Sequence, residues 1–233
     1  MPKKQITLIL IIAIVIIIIG GFLLLKKSKS DDDLGPAIII SQSAKDKEGQ
    51  EENNKANEQS NAPEVIEVGN SDAPVTIIEY YSYFCGHCAK FNSETYPKIK
   101  EKYIDTGKVK FVYRVFPPYE ASMAAICANK QDKFLEYHNY LFEHASEIKN
   151  PDDLKIAAKE AGLNETQFNN CYDFQEYLDE AREWYNQGQA DFERENVPAE
   201  MRGTPAFFIN GDLILGAQPL ETFIQGIEEK LAE

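Results

Sequence analysis

The 233-residue chain is short of positive charge: 24 Lys and Arg stand against 38 Asp and Glu, for a formal net charge of −14. Proteins that track phosphates need a basic footprint, so nucleic-acid binding is excluded as a function class. Cysteine is also scarce. Four are too few for a small scaffold built on disulfides, and without a second CxxC pair they do not complete a four-cysteine zinc site. The chain has only three histidines. His138 and His144 are six positions apart rather than at the i, i+4 spacing that sets two ligands on one helix face, so both read as ordinary core or surface residues. No metal ligand set and no cofactor is expected. The mean hydropathy of −0.40 excludes a polytopic membrane protein.

One long apolar run does occur. Residues 6–25 read ITLILIIAIVIIIIGGFLLL, interrupted only by Thr7, Gly20 and Gly21. A helix of that length spans about 30 Å, the thickness of a bilayer's hydrocarbon core. A cleaved signal peptide would have a shorter run and a small-residue cleavage site, whereas here Lys26 and Lys27 follow three leucines. The expectation is a retained transmembrane anchor over 6–25, with 1–5 as a short cytoplasmic N-terminus. Charge alone barely chooses the orientation, because Lys3 and Lys4 flank one end and Lys26, Lys27 and Lys29 the other. Residues 26–63 include KDKEGQEENNKANEQSN, which has almost no large apolar side chains to offset chain entropy, so a disordered linker is expected there. Residues 64–233 are long enough to bury a full core as one domain. With 16 Lys and Arg against 30 Asp and Glu, that segment carries the whole net charge.

Periodicity divides the domain. Residues 65–68 make a short strand candidate, and VTIIEYY at 75–81 is apolar and β-branched, as a buried strand is. CGHC follows at once, opening a helical pattern with Ala89, Phe91, Tyr96 and Ile99 that runs toward Gly107. A second buried strand, VKFVYRVF at 109–116, stops at Pro117-Pro118. From about 119 to 196 the pattern is helical, with helices expected at 120–130, 132–146, 150–161, 164–170 and 174–195. Strands at 206–209 and 212–215 flank Asn210-Gly211, the strongest short hairpin signal, and a closing helix is expected at 220–231.

The chemistry sits at Cys85-Gly86-His87-Cys88, between strand and helix. Two intervening residues on a first helical turn bring two sulfurs into disulfide range. The first cysteine lies where unpaired N–H groups and the helix dipole favour a thiolate, the nucleophile of disulfide exchange, and His87 can add to that. The second, one turn in, is more buried and resolves the mixed disulfide. A lone CxxC is also half of a zinc site, and Cys127 and Cys171 are too scattered to supply the rest.

Several ordered motifs carry a resemblance. TIIEYYSYFCGHCAKF is similar to the active-site strand and helix of the DsbA-like thiol–disulfide oxidoreductases of the thioredoxin superfamily. YRVFPP, AICANKQDKFLEYHNYLF and RGTPAFFING resemble that family's next strand, its helical insert and the loop and hairpin facing the site. The Gly-His dipeptide departs from the Pro-His of the founding member and resembles protein disulfide isomerases, though both are oxidants relative to thioredoxin. The resemblance implies an α/β thioredoxin-like fold with a helical insertion at about 119–196. It implies a cis bond at Thr204-Pro205 against the sulfurs, with Gly203, Thr204 and Pro205 binding substrate backbone as an added strand. The other reading of Pro205 is an ordinary strand-entry proline. It implies that Glu79 is a buried acid near Cys88, with a raised pKa and able to accept the Cys88 proton, against the alternative of a strand-edge carboxylate in water. It implies a structural Cys127–Cys171 disulfide, against two free buried thiols.

The resulting expectation is a membrane-tethered oxidase that introduces disulfides into exported proteins through Cys85–Cys88. Its partners would be reduced exported substrates and a membrane redox protein, quinone-linked in the family's manner, that reoxidises it. A disulfide and an oxidase both need a non-reducing space, which places the domain outside the cytoplasm. The alternatives are a reductase or isomerase on the same fold, and a tethered peptide-binding chaperone or adaptor without turnover.

Overall fold

The computed structural model describes residues 65–233. The anchor expected at 6–25 and the linker expected at 26–63 lie outside the described residues. Among the described residues no helix is long and apolar enough to cross a membrane.

Strands β1 (Ile66–Gly69), β2 (Val75–Tyr81), β3 (Val109–Val115), β4 (Ala206–Ile209) and β5 (Asp212–Leu215) form one sheet in the order β1-β3-β2-β4-β5. The β2–β3 pair is parallel and the other pairs are antiparallel. Central placement explains the continuous apolar reading of β2 and β3, since both of their faces are covered. Asn210 and Gly211 take φ of 46° and 101°, the left-handed pair that a two-residue hairpin requires, so the β4–β5 turn forms where the dipeptide predicted it.

The helical run α1 follows β2 directly. It comprises Gly86–Lys90, a π-helical stretch Phe91–Thr95, Tyr96–Ile99 and a second π stretch Lys100–Ile104. Pro97 explains the first widening: it lacks the N–H for an i−4 bond, and its ring crowds the carbonyl it would have met. The insert consists of α2 (Tyr119–Asn129), α3 (Phe134–His144), α4 (Pro151–Glu160), α5 (Glu165–Asp173) and α6 (Leu178–Arg194); α7 (Leu220–Leu231) closes the domain.

Two helices start later than their periodicity suggested. Asp132 has φ 57° and Gln175 has φ 52°, so each sits in the left-handed region and breaks the chain before α3 and α6 can begin. The α4 start is as expected: Asn150 and Asp153 form a reciprocal capping box around Pro151. Asn164 caps α5 by accepting from the Gln167 N–H at 2.9 Å. Helix α5 then runs on to Asp173, three residues past the expected end.

Alternation along β2 separates two apolar clusters. Ile77 and Tyr81 face the larger one, which gathers α1, α7 and much of the insert, and Tyr80 faces a smaller one with Phe116, Phe192 and Phe208. Helix α6 approaches the smaller cluster closely. A Cβ at Gly188 would fall 2.3 Å and 2.6 Å from two Phe116 ring carbons, so only glycine fits.

Candidate active site

Cys85 ends the β2 extension and is the N-cap of α1, with φ −98° and ψ 115°. Its own N–H donates to the Ser82 carbonyl at 3.1 Å, and its carbonyl accepts from Ala89 N–H at 3.0 Å. The chain thus turns tightly from strand into helix. Cys85 remains half-buried while Cys88, one turn in, is fully buried. Both are free thiols in this structure.

The two sulfurs have opposite acidities. Partial burial of Cys85 works against ionisation. Hydrogen bonds from the Thr204 side chain, the Cys88 and His87 backbone N–H groups and the Cys88 thiol outweigh it, and hold Cys85 below the ordinary thiol range. Burial, then the charge that Glu79 would carry if ionised, push the Cys88 thiol far up. The His87 ring is exposed; its contribution to the Cys85 sulfur comes through its backbone N–H.

Glu79 is buried at 3 % exposure, on the central strand of the sheet. Its register partners are Tyr113 on β3 and Phe207 on β4, both buried. Burial first, and then the Cys85 charge, raise its carboxyl well above the usual range. This is the interior acid, and the water-facing alternative does not describe it.

The Thr204-Pro205 peptide bond is cis, and the Cys85 Sγ donates to the Thr204 carbonyl at 3.2 Å. Pro205 is buried and its carbonyl accepts from Gly216 N–H at 2.8 Å, while Gly203 is exposed. The loop 203–205 therefore lies against the more accessible sulfur. A second cis bond, Pro117-Pro118, had no sequence signal beyond the paired prolines. Cys127 on α2 and Cys171 on α5 form a disulfide with Cα atoms 5.9 Å apart.

Phe84 and Met201 are 45 % and 59 % exposed. A groove of about 230 Å³ beside Phe84 is lined by Pro118, Ile148, Pro151 and Leu154. Tyr80, Tyr81 and Tyr83 belong to the core and only Phe84 to the rim. His138 is fully buried among aromatic rings, whereas His144 is half-buried and pairs with Glu147 at 2.9 Å. The core reading of His138 holds, but its polar partners have no counterpart in the sequence pattern. Its signal was a lone polar residue at helical spacing with Phe134, Leu135 and Phe142.

The thioredoxin family model matches residues 60–229. A Rickettsia felis protein assigned as a protein-disulfide oxidoreductase is 26 % identical over 174 residues, covering 71 % of this chain and 60 % of that protein. Disulfide bond formation protein D of Bacillus subtilis is 38 % identical over 92 residues, covering 36 % of this chain and 39 % of that protein. The chain thus spans less than two thirds of the length of these relatives. Among solved structures, α-DsbA1 of Wolbachia pipientis superposes with a TM-score of 0.62 at 27 % identity, covering 73 % of this chain and 92 % of that one. Oxidised BdbD of Bacillus subtilis gives 0.61 at 25 % identity, over 72 % and 92 %.

Proposed function

The chain belongs to the thioredoxin family, and on that premise we propose that it is a DsbA-like protein thiol–disulfide oxidoreductase working as an oxidase. The observation that carries this reading is the asymmetry of the two thiols: a half-buried Cys85 held below the ordinary range beside a fully buried Cys88 held far above it. A redox pair whose reduced form contains a stabilised thiolate gives up its disulfide readily, and so oxidises others.

The steps follow from that division. A substrate thiolate attacks the Cys85 sulfur of the Cys85–Cys88 disulfide; the new bond joins substrate to Cys85, and Cys88 leaves. Its sulfur takes the proton of the Glu79 carboxylic acid, which burial keeps available. A second substrate thiolate attacks the substrate sulfur in the mixed disulfide, and Cys85 departs as a stable thiolate. Two electrons pass to the enzyme and the substrate gains one disulfide. The loop 203–205 would hold the substrate backbone beside Cys85 during both attacks.

Exported proteins with paired cysteines are the proposed substrates, and a membrane redox protein, quinone-linked in type, is the proposed oxidant of the reduced enzyme. The apolar stretch 6–25 and the polar stretch 26–63 would hold the domain at a membrane, on its non-reducing side. Cys127–Cys171 has a structural role in this scheme.

Equilibration of the purified chain in glutathione redox buffers tests the direction. A potential near that of thioredoxin, about −270 mV, would refute the oxidase assignment and leave a reductase. Cys88→Ser should accumulate mixed disulfides through Cys85. A variant that traps no partner would point to an adaptor without turnover.

A further inference from the structure

One buried imidazole joins the two flanks of the redox motif. His138 projects from α3 and is 1 % exposed. Its Nδ1 lies 3.0 Å from the Tyr81 hydroxyl and 3.3 Å from the Tyr83 hydroxyl, and those two hydroxyls are 3.0 Å apart. Its Nε2 lies 3.2 Å from the Asn92 Oδ1. Tyr81 is the last residue of β2 and Tyr83 lies two positions before Cys85, while Asn92 is one helical turn beyond Cys88. A single side chain of the insert therefore holds the segment entering CGHC and the helix leaving it.

The protonation pattern is fixed by these partners. Burial pushes the His138 imidazole down to about 3, so the ring is neutral, with one donor and one acceptor nitrogen. The Asn92 Oδ1 only accepts, so Nε2 carries the hydrogen and Nδ1 accepts from the tyrosine pair. Burial also keeps both phenols protonated. One phenol donates to Nδ1 and the other to its neighbour, and every buried polar atom of the set has a partner. The rings of Phe134, Tyr113 and Phe142 pack around the imidazole with centroids 5.0, 5.1 and 4.9 Å away. A purely space-filling side chain would suit that nest better, because a buried polar group gains nothing there unless its bonds are made.

We propose that His138 is a positioning residue for disulfide exchange, which clamps the Tyr81–Tyr83 segment to α1 through Asn92 and so fixes the Cys85 sulfur in its hydrogen-bond cradle. The cradle depends on convergence: the Thr204 carbonyl lies 3.2 Å from the Cys85 sulfur, and the first turn of α1, which Cys85 caps, brings the His87 and Cys88 backbone toward the same atom. Residues 82–84 carry that sulfur and leave the sheet before the helix begins, so their position depends on what anchors Tyr83. The inference rests on the reading above that Cys85 is the exchanging thiol.

The test uses the reduced full-length chain and four variants: His138→Leu, His138→Gln, Tyr83→Phe and Asn92→Ala. The readouts are the pH dependence of Cys85 alkylation by iodoacetamide and the equilibrium with glutathione. Without the clamp the cradle loosens and the thiolate is less favoured. His138→Leu should lower the alkylation rate, at a fixed pH below the Cys85 midpoint, by about three- to tenfold. Tyr83→Phe and Asn92→Ala should shift it the same way by less. His138→Gln, which keeps one acceptor and one donor, should recover part of the loss. A merely structural histidine would change melting and leave the Cys85 profile in place. If His138→Leu does not fold, the two milder variants decide. Unchanged Cys85 profiles in folded Tyr83→Phe and Asn92→Ala would overturn the proposal. Alkylation needs no exchange partner, so these profiles judge the clamp even if the wild-type chain fails to exchange with glutathione, a failure that would count against the proposed function alone.

Discussion

Removing the Cys127–Cys171 bridge should cost a large share of the domain's stability and leave the exchange chemistry in place. The two cysteines are 44 positions apart and tie α2 to α5 within the larger core. In the chain-entropy account, closing a loop of that length raises the free energy of the unfolded chain by about 4 kcal/mol. Replacing both by alanine adds a packing loss, because Cys127 is wholly buried and Cys171 is 9 % exposed. Two missing sulfurs in a close-packed region add roughly 1–2 kcal/mol. The expected total of about 5–6 kcal/mol is comparable with the entire stability of many domains. Urea unfolding of the Cys127→Ala/Cys171→Ala chain, against the wild-type domain with the bridge intact, measures it. The urea dependence should steepen as well, since an unbridged unfolded chain exposes more surface. Exchange with glutathione through Cys85, assayed where the variant is still folded, should match the wild type. A loss below about 1 kcal/mol would refute the entropic reasoning. A folded variant that no longer exchanges would refute the division between a structural and a reactive pair.

Three other outcomes follow from particular contacts. Gly188→Ala gains about 1 kcal/mol of helix propensity, but its Cβ would meet the buried Phe116 ring at 2.3 Å, so overpacking should win and melting should fall. A rise in melting temperature would show that α6 can shift away from the sheet. Glu79→Gln tests the buried acid: because the folded-state carboxyl is raised, its contribution is fully present below about pH 4.3, the unfolded value, and is lost as pH rises through the folded one. The variant should therefore gain stability relative to wild type as pH rises from about 4.3, and a difference constant with pH in urea unfolding would contradict this. Alkylation of the reduced chain should titrate one fast thiol, lost in Cys85→Ser, with a midpoint below about 8.5; two thiols titrating together would remove the basis for the proposed mechanism.

Local signals carried the framework because its residues answer to local rules. Strand β2 was found to the residue from its β-branched apolar run, and the β4–β5 hairpin from Asn210-Gly211. The starts of α3 and α6 were misplaced because Asp132 and Gln175 are neither glycine nor proline, so their left-handed backbone left no mark on composition. The π stretches of α1 were equally silent, since one proline in a helical pattern suggests a kink without saying which bonds shift. Cys85 and Cys88 were legible from spacing, and Glu79, Thr204 and Pro205 only through family resemblance. His138 was not legible as part of the site at all. Its partners Tyr81, Tyr83 and Asn92 lie 46 to 57 positions away, and nothing in a helix periodicity says which strand end it will meet.

The surplus of acid that marks the composition now bears on the chemistry in an unexpected way. A domain with 30 carboxylates against 16 cations is a poor general environment for another negative charge. Cys85 is nonetheless the acidic thiol, and the groups that make it so are hydrogen-bond donors at contact range rather than cations. Neighbouring donors act over about 3 Å, whereas the field of surface carboxylates is screened beyond about 10 Å in ordinary salt. The short-range term therefore wins only while the cradle holds its shape. Glu79, the acid buried on β2, is disarmed by burial, which favours its neutral form and removes the charge that would oppose the thiolate. The same burial that would make Glu79 a liability as an ion keeps its carboxyl protonated, as the proposed proton transfer to the departing Cys88 requires.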